Sequence, residues 1–67
     1  MSQFSDKLLH YMQSEYLASG KDLFPYVDML SCISDQDQLE RAITTLEASG
    51  NIESEYISSY RLLKLPD

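Results

Sequence analysis

Apolar side chains along the first quarter of the chain recur at helical spacing. Phe4, Leu8, Leu9, Met12 and Tyr16 fall on one stripe, which predicts a helix over Gln3–Ser19. Ser2 or Ser5 can cap its start, Asp6 suits its first turn, and Gly20 stands where a helix ends. Residues 21–24 read as a single short extended strand leading into Pro25. Proline holds the residue before it in extended geometry and suits the first turn of a helix. A second helix is therefore expected over residues 25–32, with Tyr26, Val27, Met29, Leu30 and Ile33 to bury.

The second half is more sharply patterned. Ser34 followed by Asp37 approximates a capping box, and Leu39, Ala42, Ile43 and Leu46 form the buried line of a third helix over residues 35–48. Gly50 should stop it in a left-handed conformation. Two β-prone runs follow, residues 51–57 and 60–65, with Ser58-Ser59 as the turn between them. The run after Tyr60 is apolar on both faces in its middle, so it is either well covered or part of a contact surface. The expected fold class is α+β: three helices followed by a short two-stranded β wing, in one domain covering residues 1–67.

Leu39-Glu-Arg-Ala-Ile-Thr-Thr-Leu46, then Glu-Ala-Ser-Gly50-Asn-Ile52, then Tyr60-Arg-Leu62 resembles the winged-helix superfamily. The resemblance implies helix, short strand, helix, helix and wing, over nearly the whole chain. In DNA-binding members of that superfamily the third helix enters the major groove and the wing touches the backbone or minor groove. Here that role would fall on Gln36, Gln38, Arg41, Thr44 and Thr45, with Arg61 and Lys64 from the wing.

Charge argues against it. Eleven carboxylates oppose five basic residues, for a net charge of −6. Nucleic-acid affinity rests heavily on phosphate neutralisation by Lys and Arg. The third helix instead carries Asp35, Asp37, Glu40 and Glu47, and the wing carries Glu53 and Glu55. Solubility alone could account for such a balance. Three functional readings compete. The first is a small cytoplasmic regulatory module that binds another protein, a basic one among the candidates. The second is a DNA-binding transcription regulator, dimeric, using Arg41, Arg61 and Lys64. The third is an acidic DNA mimic that occupies another protein's DNA site. In the protein-binding reading the contact centres on Asp37, Glu40, Arg41, Thr44, Tyr56 and Tyr60. The two wing tyrosines are included because tyrosine buries a large ring while keeping a polar tip. A homodimer packed through them is also possible on sequence grounds.

Other chemistry is not expected. Cys32 is the only cysteine, so no internal disulfide and no cysteine-rich metal site can form, and the usage fits the cytoplasm. His10, the only histidine, and Cys32, the only thiol, could pair as base and nucleophile, but their positions suit a surface histidine and a packed thiol. Gly20 and Gly50 are the only glycines, too few for a phosphate-cradling loop. No catalytic residue, metal ligand or cofactor is expected. The first six residues lack the basic-then-apolar order of a signal peptide, and no apolar run nears the roughly 18 residues of a membrane span.

Overall fold

The sheet has three strands, where the hydrophobic pattern predicts a two-stranded wing. The computed structural model describes residues 3–66. Its elements run α1 (Gln3–Ser19), β1 (Leu23–Pro25), α2 (Tyr26–Met29), α3 (Gln36–Ala48), β2 (Glu53–Ile57) and β3 (Tyr60–Lys64). The strand order is β1-β3-β2, antiparallel throughout. The extended segment before Pro25 thus joins the hairpin, with Leu23, Phe24 and Pro25 opposite Lys64, Leu63 and Leu62. Leu65 N–H donates to the Asp22 carbonyl at 3.2 Å beyond the last paired residues. Pro25 predicts the extended geometry, but a three-residue strand is too short to show a period of two, so its place in the sheet rests on the pairing alone. Pro25 has no N–H to give a ladder, and it sits on an edge strand where none is needed on the outer side.

Helix α1 has the expected bounds, but its buried side is rotated slightly. Ser5, Leu8 and Met12 are buried, whereas Phe4 and Tyr16 are 37% and 49% exposed at the margins of the stripe. Ser5 lies inside the helix rather than at its cap, and Ser2 lies outside the described residues. Gly20, at φ +76°, donates its N–H to the Tyr16 carbonyl at 2.7 Å, a left-handed helix end.

The second helix is a single turn. Pro25 is its N-cap, and after Met29 the chain closes through Cys32 N–H and Ile33 N–H donating to the Met29 carbonyl at 3.0 and 2.9 Å. The Ser31 hydroxyl donates to the Asp28 carbonyl at 2.6 Å, so a local side-chain bond competes with further helix there. Met29 and Ile33 are buried, Tyr26 and Leu30 partly so. Val27, expected inside, is 68% exposed because a one-turn helix has only one side against the core.

Helix α3 starts one residue later than expected. Asp35, not Ser34, is its cap, accepting the Gln38 N–H at 3.1 Å. Both residue types are strong caps, and only the chain's entry angle selects between them. At the far end Asn51 N–H donates to the Leu46 carbonyl and Gly50 N–H to that of Glu47, at 2.9 and 3.1 Å. Those are the two bonds of a Schellman motif, with Gly50 at φ +79°. Leu39, Ala42, Ile43 and Leu46 are all fully buried, as the pattern predicts.

The core joins these elements. Leu8 and Met12 of α1 meet the α3 line, and Phe24, Met29, Ile33, Ile52 and Leu63 complete it. Each large aliphatic side chain taken fully from water stabilises the fold by about 1.5–3 kcal/mol. Tyr11 packs edge-on to Phe24 at 6.2 Å between ring centroids, and Lys21 Nζ sits 5.2 Å from the same ring. Among the described residues no helix is long and apolar enough to cross a membrane.

Candidate functional site

Helical spacing sorts the exposed residues of α3 into two groups. Glu40 and Glu47, seven positions apart, lie on the flank turned to β3. Asp37, Arg41 and Thr44 succeed one another at four and three positions and are exposed. Glu40, Arg41 and Thr44 line one shallow hollow together with Gln38 and Thr45. The Thr44 hydroxyl donates back to the Glu40 carbonyl at 2.9 Å, so its lone pairs, not its proton, remain for a partner.

Arg61 decides the electrostatics of this surface. It projects from β3, paired with Tyr56 of β2, and its Nη1 donates to both carboxylate oxygens of Glu40 at 2.9 and 3.0 Å. Its Nη2 reaches Glu47 at 3.4 Å. The guanidinium also lies 5.7 Å from the Tyr26 ring and 5.8 Å from the Tyr56 ring. One nitrogen serving both oxygens is not the two-by-two fork of the strongest arginine–carboxylate pairs, and Nε has no acceptor. Burial works to lower the pKa of Arg61, but the hydrogen bond and charge of Glu40 outweigh it and raise it. Tyr26 beneath the pair is also raised, first by burial and then by the nearby Glu40 charge.

Arg61, a candidate DNA contact by sequence, is placed with its guanidinium against two carboxylates of α3. Glu40 is likewise engaged rather than free. Of the other wing cation, Lys64, the side chain lies on the opposite face of the sheet, across from Leu23 and Glu53. Arg41 stays exposed, with Asp37 one turn before it. Arg41, Arg61 and Lys64 therefore do not converge into one basic surface.

The two tyrosines expected in the contact separate. Tyr56 and Tyr60 are each 69% exposed. Tyr56 shares a face with Arg61, toward α3, while Tyr60 pairs with Ile57 on the other face. The structure thus joins Glu40, Arg41, Thr44 and Tyr56 to one side of the molecule, with Asp37 beside them, and removes Tyr60 to another. Sequence reasoning missed Arg61 and Glu47 as the organisers of this side. Their separation of 14 residues across a turn leaves no local periodic signal.

His10 and Cys32 line a common hollow with Lys7, Tyr11, Ser14 and Ser31. The thiol is pushed above its ordinary pKa by burial, against a smaller opposing pull from Lys7. That is the reverse of the shift that activates a nucleophilic cysteine. Among the described residues no three His, Cys, Asp or Glu side chains are placed to hold a metal ion. Comparison with protein-family models, with curated proteins and with solved structures finds no match in any of the three.

Proposed function

We propose that this chain is a winged-helix-like regulatory module of the cytoplasm that binds another protein, without enzymatic activity and without a role in binding nucleic acid. The observation that carries this reading is the Arg61–Glu40–Glu47 cluster. It neutralises the wing cation nearest α3, and it leaves an exposed surface in which Asp37, Arg41, Thr44 and Tyr56 offer mixed polar and aromatic contacts. The element order and the hairpin after α3 support the winged-helix part of the reading. The single cysteine, which leaves the fold without an internal disulfide, supports the cytoplasmic part.

Fluorescence anisotropy with a labelled random 30-base-pair duplex tests the choice of partner class. At physiological salt and micromolar protein the anisotropy should not change. Nanomolar binding that weakens steeply with salt would replace this reading by a DNA-binding one. Affinity capture from cell extract, with wild type beside an Asp37→Lys, Arg41→Glu variant, should retain a partner only on wild type.

A further inference from the structure

Strand β2 is an edge. The order β1-β3-β2 pairs one side of it with β3 and leaves the backbone N–H and C=O groups of the other side without a strand partner among the described residues. Four of its five residues are exposed. The register places its side chains. Leu63 stands between Phe24 and Ser54 in one row across the sheet, and Phe24 and Leu63 belong to the core, so Ser54 and Tyr56 take the core-side face. Glu53, Glu55 and Ile57 take the other, beside Leu23, Pro25, Leu62, Tyr60 and Lys64, the last directly opposite Glu53, which leaves Glu55 without a cation across the ladder. None of these outer-face residues is buried, and Leu23, Ile57 and Tyr60 are 39%, 52% and 69% exposed.

We propose that the free edge of β2 docks an extended, basic segment of a partner protein, which adds to the sheet as a fourth strand. The proposal rests on the protein-binding reading and carries its contact surface past Tyr56 to the free edge of the same strand. Charge identifies the occupant. Glu53 and Glu55 stand on one face about 7 Å apart, two residues along a strand. A neighbouring strand sets its own alternate side chains roughly 5 Å from theirs. Lysine or arginine at those alternate positions meets both carboxylates, while an aliphatic residue next to Ile57 covers its exposed side chain. The net charge of −6 steers such a segment in. A second copy of this chain fits poorly. Full antiparallel overlap of β2 with itself sets Glu55 against Glu55, and like charges directly opposite destabilise a ladder.

The test is an NMR titration of the isotope-labelled full chain with a blocked peptide of sequence TVTKTKT, which in antiparallel register sets its valine beside Ile57 and its two lysines beside Glu55 and Glu53. Amide shifts should concentrate in residues 53–57, and amide hydrogen exchange there should slow. A Glu53→Lys, Glu55→Lys variant, whose fold is checked by its own amide spectrum, should bind at least tenfold more weakly. A peptide with glutamate in place of lysine should not bind. Four results would overturn the proposal: no shifts at millimolar peptide, shifts confined to α3, equal binding by a backbone N-methylated peptide, or concentration-dependent shifts in β2 without peptide. The second of these leaves the protein-binding reading standing and removes only the strand edge.

Discussion

Tyr56 and Tyr60 stand on opposite faces of one hairpin, although they are four positions apart and equally exposed. The two-residue Ser58-Ser59 loop causes this. Its tight turn, with Ser58 at φ +59°, sets Ile57 opposite Tyr60 and Tyr56 opposite Arg61. A partner seated on the α3 side can therefore reach Tyr56 and not Tyr60. Tyr56→Ala should speed dissociation of such a partner, since aromatic anchors dominate binding energy, and Tyr60→Ala should leave it unchanged. Surface plasmon resonance with both variants checks this, and equal effects would place the contact at the hairpin tip.

Arg61 holds more than its ion pair. Removing Glu40 takes away a half-exposed carboxylate, so Glu40→Ala should cost under about 1 kcal/mol. Arg61→Ala also removes the contacts with Tyr26 and Tyr56 and should cost roughly 1–2 kcal/mol. Urea denaturation of the two variants gives the comparison. A larger loss for Glu40→Ala would mean that the rings contribute nothing.

Leu46 is fully buried in the line that joins α3 to the rest of the core. Leu46→Ala should destabilise by about 2–5 kcal/mol. For a domain of this size that is a large share of the total. An unchanged denaturation midpoint would remove Leu46 from the core.

Gly50 isolates a backbone effect. A Cβ built on it meets nothing within 4 Å, so a substitution there is opposed by φ +79° alone. Gly50→Val should cost more than about 1 kcal/mol, and Gly50→Asn distinctly less, because asparagine tolerates the left-handed region. Equal losses would point to a cause other than φ.

Cys32 should label slowly. Burial raises its pKa, so less thiolate is present at pH 8 than in the unfolded chain. The same shift makes folding hold a proton that the unfolded chain releases. Its contribution is intact below the unfolded value near 9.0 and is lost as pH rises through the folded one. Labelling by a disulfide reagent, native against urea-unfolded, should show the slower native rate. A faster native rate would revive the Cys32–His10 pairing.

Local information in the chain was enough to specify α1, the buried line of α3, both glycine stops and the Ser58-Ser59 turn. Each depends on neighbours within a few residues: a helical period, a residue that accepts positive φ, a cap followed by its first turn. Tertiary structure decided the rest. It added β1 to the sheet, because a three-residue strand has no period and exists only by pairing with β3. It cut α2 to one turn and chose Asp35 over Ser34 as the cap. It turned Arg61 from a candidate DNA contact into the partner of Glu40 and Glu47, 21 and 14 residues away. Charge pairs across such separations carry no sequence period, since what brings them together is the packing of a strand against a helix flank.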